Sequence, residues 1–425
     1  MQKKKSEKKE LLKKSTPETG ISEIEFNSRI EKIRKHISSK NLGALLIFST
    51  SRAHIWYQTG HVSYLSGWAD RDRIGDSIVI VPEKGDPVIL ISGIPLIAQR
   101  GKKDSLIKDV RIAGNFFENT QGFGNEIFKI IKEKGLEGKK LGITGFENMP
   151  LLLYQDLIDA LSQSNIELTF DIVADMRSRK SSAEVALIRK AVELCDLGYE
   201  ELLQKARPGI WGYEVIALME YAVRTKGADY VQYWMRSGPL EDWSAMLPDF
   251  KPHRRKLKSG DQITCGSYVI YKGYWAHSMR TVNLLTSSKQ QNNIFDKCLK
   301  IHQVTIDMIK PGVCISDVVK AVKSNTRKAG MKLHCTRIGH GIGLDYGEGP
   351  ILNEGNENLF EKGQVVVVHI PFKLNLKGTD SFYVPVGDMC YVTEDGVEVL
   401  TGFPTEAFKY KIQKHKTPSL NAGTC

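Results

Sequence analysis

The stretch from residue 262 to 285 constrains the fold of this chain more than any other part of the sequence. An apolar run at 268–271 precedes Lys272-Gly273, and the segment GYWAHSMRT then leads into a second apolar run at 282–285. Two apolar arms around a glycine turn predict a β-hairpin. His277 lies in the second arm, where successive side chains point to opposite faces, so its imidazole faces either a core or a cavity.

The patterns on either side of this hairpin divide the chain into two domains. Residues 22–172 alternate helix and strand signals, which is typical of an α/β unit. Residues 173–410 begin with long helical patterns and end in short apolar strands, which predicts an α+β domain. A basic flexible tail over 1–21 and a C-terminal tail over 411–425 flank the two domains. The expected fold class is α+β, with a smaller α/β domain first.

Charge and cysteine usage narrow the classes of partner. The net charge is +11, and seven of the first fourteen residues are lysine, but no nucleic-acid motif accompanies them, so nucleic acid is not an expected partner. No apolar run approaches the roughly 20 residues that cross a bilayer, which argues against a membrane partner. The seven cysteines are isolated and form no CxxC pair, which fits a reducing cytoplasm.

Three phrases in the second half of the chain carry the most specific information. They are RRKLKSGD at 254–261, leading into the hairpin, then GHGIGLDYGEGP at 339–350, and GQVVVVHIP at 363–371 followed by GDMCYVTEDGVEVLT. In this order the sequence resembles the family of creatinase, aminopeptidase P, prolidase and methionine aminopeptidase. The resemblance spans about residues 25 to 405. It implies a C-terminal pita-bread catalytic domain preceded by the accessory domain of the creatinase and prolidase branch.

The metal ligands that this resemblance implies are largely missing. The peptidases hold two metal ions with two Asp, one His and two Glu, which correspond here to Gly266, His277, His340, His369 and Gly387. Only His340 matches the family pattern. The usual dinuclear site therefore cannot form, and an ordinary aminopeptidase is not expected.

Three imidazoles replace the lost carboxylates. By the resemblance, His277, His340 and His369 project from three strands into one pit, where three imidazoles would bind a single divalent transition metal (Zn, Fe, Mn, Ni or Cu) and leave a position open. Two alternatives stay open at this point. The creatinase branch also lacks metal ligands and uses the pit for metal-free chemistry, and the site could have lost its function.

Acidic residues near the three phrases are candidates for proton transfer. Asp249 falls where the family commonly has a substrate-side histidine, and Glu348 matches a family glutamate, so both are candidate catalytic residues together with His340. Asp345 is a candidate substrate-binding residue. Turn or surface positions are the alternative interpretation of Asp249 and Asp345, and Glu348 is alternatively an acid that orients the imidazoles.

Aromatic and basic residues complete the predicted substrate site. Trp234 and Trp275 are expected in the pit wall, where they would box a cationic group by cation–π contact, unless they belong to the core. By the resemblance, the protein forms a homodimer in which the N-terminal domain of one subunit caps the site of the other. The stretch GWADRDR would then supply Arg71 or Arg73 for a substrate carboxylate.

These residues predict a creatinase-like enzyme that acts on a small polar nitrogen-containing metabolite. The expected reaction is metal-assisted hydrolysis of a C–N bond in a small amide, amidine or ectoine-like compound. The alternatives are a lyase of the dimethylsulfoniopropionate-cleaving type, a three-His iron redox enzyme, a metal-free creatinase-like hydrolase and a non-catalytic binding module.

Overall fold

The computed structural model describes residues 20–50, 60–68, 75–93, 95–113, 122–161, 166–169, 172–239, 252–376 and 378–405. The chain divides into two compact units. The N-terminal unit comprises residues 1–187 with two short later segments, 272–275 and 342–349, and the C-terminal unit comprises the remaining residues.

The N-terminal unit contains a six-stranded mixed sheet in the order β4-β3-β2-β1-β5-β6. Strand β1 runs antiparallel to β2 and parallel to β5, and β3 runs antiparallel to β2. The first three strands are buried on both faces, and each has an uninterrupted apolar run of four or five residues, as expected for strands covered on both sides. The six strands are β1 (Ala44–Thr50), β2 (Asp76–Pro82), β3 (Val88–Ile91), β4 (Asp109–Ile112), β5 (Leu141–Thr144) and β6 (Ile166–Leu168).

Helices cover this sheet and bury their apolar sides. The first helix begins after Ser22, whose hydroxyl accepts a hydrogen bond from the backbone N–H of Glu25, and it buries Phe26, Ile33 and Ile37 at helical spacing. The helices are α1 (Glu23–Ser39), α2 (His61–Ser66), α3 (Pro95–Asp104), α4 (Phe123–Glu133), α5 (Leu151–Ala160) and α6 (Ile172–Ser178). Helix α7 (Ser182–Lys205) begins in this unit and continues into the next.

Within the described residues, the C-terminal unit contains three further helices, α8 (Gly212–Arg224), α9 (Lys289–Met308) and α10 (Ile315–Lys328). Its strands form three sheets, in the orders β7-β8-β9, β12-β11-β13-β16-β17 and β10-β14-β15. The strands are β7 (Tyr230–Gly238), β8 (Gln262–Tyr271), β9 (Tyr274–Asn283), β10 (Lys332–Leu333), β11 (Gly339–Gly341), β12 (Glu348–Leu352), β13 (Val365–Val368), β14 (Phe372–Leu376), β15 (Thr379–Tyr383), β16 (Asp388–Val392) and β17 (Val397–Val399).

The predicted hairpin over 262–285 is confirmed as strands β8 and β9. Its two turn residues, Lys272 and Gly273, both have positive φ (48° and 85°), as a tight two-residue hairpin turn requires. The predicted α+β fold class is confirmed as well. Short elements such as α2, α6 and β11 were not predicted, because segments of three to seven residues show too few periods of a hydrophobic pattern.

Candidate active site

His277 lies in the middle of β9 and is fully buried. Its imidazole has one defined contact at the Nδ1 edge and another on a ring face. Its Nδ1 is 2.7 Å from the backbone carbonyl oxygen of Ser267, and its ring stacks on Tyr268 with a centroid separation of 4.6 Å. A carbonyl oxygen only accepts hydrogen bonds, so Nδ1 carries the proton. The lone pair of the neutral ring is therefore on Nε2, the atom through which such an imidazole binds a metal or accepts a proton.

His340 and His369 approach from a second sheet. His340 lies on β11 opposite Val367, and its Nδ1 is 2.8 Å from the carbonyl oxygen of Gly341, which again places the lone pair on Nε2. His369 directly follows β13, and its ring centroid is 5.2 Å from that of His340 and 5.6 Å from that of His277. The three imidazoles predicted to share one pit are thus in contact through His369.

Burial keeps His277 and His369 neutral. Desolvation lowers the pKa of His277 to about 3, the hydrogen bond to the carbonyl of Ser267 only partly offsets that effect, and the nearby His340 adds to it. Desolvation, together with the nearby His340 and His277, lowers the pKa of His369 well below its ordinary value. A neutral imidazole is the ligating form, whereas a pKa this low makes His277 a weak general base at neutral pH.

Trp234 occupies the space that a side chain at Gly266 would need. The two residues are directly opposite each other on β7 and β8. A Cβ atom at Gly266 would lie 2.1 Å from Nε1 of Trp234, a distance that real Cβ contacts essentially never show. The indole itself is 5% exposed. The position corresponding to the family's first aspartate is therefore closed by packing as well as by the loss of the carboxylate.

The second glycine of the pattern is also enclosed. Gly387 forms an isolated bridge with Met279, and a Cβ there would lie 3.2 Å from Cβ of Met279 and 3.3 Å from Cβ of His369. A glutamate at this position would displace its neighbours by a few tenths of an ångström. The residues present do not fit the two-metal site that the family would imply, because four ligand positions lack the required side chains and one of them is filled by an indole.

Whether the three histidines fit a single metal ion depends on their donor atoms and on the distances between their rings. The donor set suits a transition metal, since His277 and His340 direct Nδ1 to carbonyl groups and keep Nε2 for other partners. Two imidazoles on one tetrahedral ion have ring centroids roughly 5 to 5.5 Å apart, close to the spacings observed. In the described parts of the chain, no group of three His, Cys, Asp or Glu side chains could hold a metal ion as it stands.

A second group of polar side chains lies in the N-terminal unit and is centred on the buried Arg177. Its Nη2 donates to Oδ2 of Asp345 at 2.6 Å and to Oε2 of Glu348 at 2.5 Å, and its Nη1 contacts Nδ1 of His61 at 2.9 Å. Lys180 donates to the other oxygen of Glu348 at 2.6 Å. We call these five residues the Arg177 cluster. Its two acids were predicted from the sequence as site residues, Asp345 for substrate binding and Glu348 for catalysis.

The two acids of the Arg177 cluster have opposite pKa shifts. Burial alone would raise the pKa of Glu348, but Lys180 and Arg177 outweigh it and hold the pKa below the usual value. For Asp345, burial dominates over Arg177 and raises the pKa. Glu348 is therefore a charged carboxylate held by two cations, an arrangement that stabilises ions and lowers the capacity to donate a proton.

The remaining predicted residues divide between the two units and the undescribed segments. Trp234 lies beside Gly266 in the C-terminal unit, as described above. Trp275 is buried in the N-terminal unit, with its ring 5.8 Å from that of Tyr346. Asp249, Arg71 and Arg73 lie outside the described residues, so their roles stay predictions.

The sequence did not reveal Arg177, Lys180 or His61. Arg177 is separated from Asp345 and Glu348 by 168 and 171 residues, so no local pattern connects them. The only signal was the basic run at 177–180 before helix α7, which resembles an ordinary solvated stretch. Only the tertiary contacts show that its first arginine is buried.

Comparison with known protein families gives one match in the N-terminal part of the chain and one in the C-terminal part. Residues 29–179 match the creatinase/prolidase N-terminal domain, and residues 186–394 match metallopeptidase family M24. Together these regions define a pita-bread enzyme fold with its accessory domain. The chain thus contains a metallopeptidase family M24 domain, preceded by a creatinase/prolidase N-terminal domain.

Individual proteins are also similar to this chain, at low sequence identity. The chain is similar to an uncharacterized peptidase of Staphylococcus saprophyticus, 29% identical over 263 residues, which are 60% of this chain and 72% of that protein. An uncharacterized peptidase of Staphylococcus epidermidis is 25% identical over 383 residues, 88% of this chain and 99% of that protein. The structure of an Xaa-Pro dipeptidase from Bacillus anthracis superimposes with a TM-score of 0.74 at 20% identity, covering 89% of this chain and 98% of that one. Among the described residues, no helix is both long and apolar enough to cross a membrane.

Proposed function

We propose that this chain is an M24-family hydrolase that cleaves a C–N bond in a small polar nitrogen-containing compound, at a site built from His277, His340 and His369. The observation that carries the proposal is the indole of Trp234 above Gly266, within 2.1 Å of where a side chain would begin. A two-metal peptidase site needs a carboxylate at that place, whereas packing there has been rebuilt around a tryptophan. The imidazoles of His277 and His340 remain there, and each contacts the imidazole of His369.

The proposal includes one divalent transition metal, Zn, Fe, Mn, Ni or Cu, which His277, His340 and His369 would hold. When bound, such an ion polarises a carbonyl or amidine group and lowers the pKa of a coordinated water. The support for this part is the tautomer of His277 and of His340, in which a backbone carbonyl takes the Nδ1 proton and leaves Nε2 as the donor atom.

The surrounding residues orient these imidazoles. The carbonyl of Ser267 and the stacked ring of Tyr268 fix the plane of His277, and the carbonyl of Gly341 fixes His340. Fixed side chains reduce the entropy lost when a substrate is positioned. Asp249 would exchange the proton with the leaving group, as the sequence pattern suggests. Glu348 is a weaker candidate because it is held as an ion by Arg177 and Lys180.

Peptide hydrolysis is the second candidate, favoured by the names of the relatives. The similar staphylococcal proteins are named peptidases, and the solved structure with the same fold is an Xaa-Pro dipeptidase. On this alternative the substrate would be a dipeptide, and hydrolysis would proceed without the family's two aspartates and two glutamates. The same three imidazoles would then be the only family-position side chains left to act.

A homodimer in the cytoplasm is a further part of the proposal. The N-terminal domain of one subunit would cap the neighbouring site, with Arg71 or Arg73 directed at a substrate carboxylate. The buried free thiols, among them Cys195, Cys265 and Cys298, are compatible with a reducing compartment. Light scattering coupled to gel filtration would give twice the 47.7 kDa chain mass for the dimer, whereas the chain mass itself would contradict it.

The test is a substrate panel with purified, metal-supplemented protein. Xaa-Pro dipeptides form one arm, and small amides, amidines and cyclic amidines form the other. We expect turnover in the second arm, lost in His369→Ala and kept in His334→Ala, since His334 is an exposed histidine of the same unit. Efficient dipeptide cleavage with no turnover in the second arm would overturn the proposal in favour of the peptidase alternative.

A further inference from the structure

One face of the sheet β7-β8-β9 forms a wall of the proposed site. In antiparallel strands, directly opposed residues share a face, so Trp234 lies on the face of Gly266, and Arg236 on that of Thr264. Tyr268 lies on the same face of β8 by alternation, and its stacking contact places His277 there too. Two independent observations, the register and the ring contact, therefore define this surface, which we call the histidine face.

The histidine face has an unusual charge for its position in the fold. Where the family would place aspartates at 266 and 277, the face has a glycine and a neutral imidazole. None of its described residues is acidic, and Arg236 is basic. The face consists of alternate residues of the three strands, from Gln232 to Arg236 on β7, from Gln262 to Tyr268 on β8 and from His277 to Asn283 on β9.

Buried polar atoms at this site have no hydrogen-bond partner among the described residues, and they include the acceptor Oε1 of Gln262. Nε1 of Trp234 and Nε2 of His369 are both shielded from solvent and unpaired across the part of the chain that the structure describes. Buried donors are nearly always paired in folded proteins, so an unpaired indole N–H in a site points to a ligand acceptor. Burial also lowers the pKa of Arg236 to about 10, because desolvation disfavours its charged form.

We propose that the histidine face binds a carboxylate group of the substrate, with the indole N–H of Trp234 as a hydrogen-bond donor to it. Trp234 is then a specificity-determining residue. Its indole N–H, a hydrogen-bond donor, takes the place of the family's carboxylate, so this part of the site would bind a negatively charged ligand group instead of a positive ion. The inference rests on the proposed function for the site and names its substrate class: small acids that contain a hydrolysable C–N bond. It also replaces the expectation that Trp234 boxes a cation.

The binding test uses protein labelled with 15N at the tryptophan indoles, titrated with sodium acetate, acetamide and guanidinium chloride at constant ionic strength. Trp234→Phe assigns the resonance by removing it, and Trp211→Phe, at the start of helix α8, is the matched control. We expect a saturable downfield shift of the Trp234 indole proton with acetate, at least tenfold weaker binding of acetamide, and no shift with guanidinium. Acetate would also bind a metal, so the titration is repeated after dialysis against EDTA, where the shift should persist.

Equal binding of acetate and acetamide, a response to guanidinium, or no saturable shift with acetate would each overturn the inference. Its failure is separable from that of the proposed function. Acetate binding without hydrolysis of any C–N bond would refute the function and leave the carboxylate site standing. Hydrolysis with equal kcat/KM for an acid substrate and its uncharged amide would refute the carboxylate site and leave the function standing.

Discussion

The three-imidazole site and the Arg177 cluster are both buried polar groups in the same chain, but they are built in opposite ways. In the Arg177 cluster each charge faces an opposite charge, with Arg177 and Lys180 placed 2.5–2.6 Å from their carboxylate partners. The imidazole site contains the neutral rings of His277 and His369, and Nε2 of His369 has no hydrogen-bond partner among the described residues.

This difference is one basis for the proposal that the histidines, and not the Arg177 cluster, form the functional site. Mutually neutralised ions tie distant segments together and leave little capacity for a ligand. Neutral donors and acceptors without partners gain most from binding something. The contrast favours a structural role for Asp345 and Glu348, and it supports the proposal that the histidines are the functional residues.

The largest expected effect is on metal content. His277→Ala should remove the bound metal completely while leaving the fold intact, because two remaining imidazoles bind a divalent ion far more weakly than three. Elemental analysis and far-UV circular dichroism measure the two quantities. His334→Ala is the control and should keep the metal. If His277→Ala retains the wild-type metal content, the ligand set is wrong.

The next effect is on stability. Arg177→Met should lower the free energy of unfolding by about 3–5 kcal/mol, since it leaves two buried carboxylates with only Lys180 to compensate them. Chemical denaturation measures this change. Arg189→Met, which removes an exposed pair with Glu398, should cost no more than about 1 kcal/mol. Similar losses in both variants would show that the Arg177 cluster is not a buried ionic network.

A smaller effect tests the packing at the vacated metal position. Gly266→Asp should destabilise the protein by about 1–3 kcal/mol because the new side chain collides with Trp234. Adding Trp234→Ala should recover part of that loss, so that the double mutant departs from additivity by more than about 0.5 kcal/mol. Gly396→Asp, at a glycine with open space around it, is the control. Additive effects would mean that the indole does not fill this position.

The smallest effect concerns pH. Lys180 and Arg177 outweigh burial and lower the pKa of Glu348, so its contribution to stability is present above the unfolded-state pKa, near 4.3, and is lost as the pH falls through the folded value. The stability difference between wild type and Glu348→Gln should therefore narrow below about pH 4. Asp345 has a raised pKa and should act with the opposite sign. Acid titrations of unfolding free energy would show a constant difference if Glu348 were not paired.

The parts of the structure that could be predicted are those encoded by local patterns. The hairpin β8-β9 followed from two apolar arms and a glycine turn, and the meeting of the three histidines followed from their order in family-like phrases. The Arg177 cluster could not be predicted, because Arg177 is 168 and 171 residues from the carboxylates of Asp345 and Glu348 and each of these ions resembles a surface charge. The position of Trp234 above Gly266 depends on the register between β7 and β8, which alternation alone does not fix.

The measurement that tests the central claim most directly is the transition-metal content of the wild-type chain, purified without chelators and analysed together with its activity on Xaa-Pro dipeptides. Our account predicts about one ion per chain, as three imidazoles with an open position would hold, and no efficient dipeptide cleavage. Two ions per chain with efficient cleavage, or no ion at all, would contradict it.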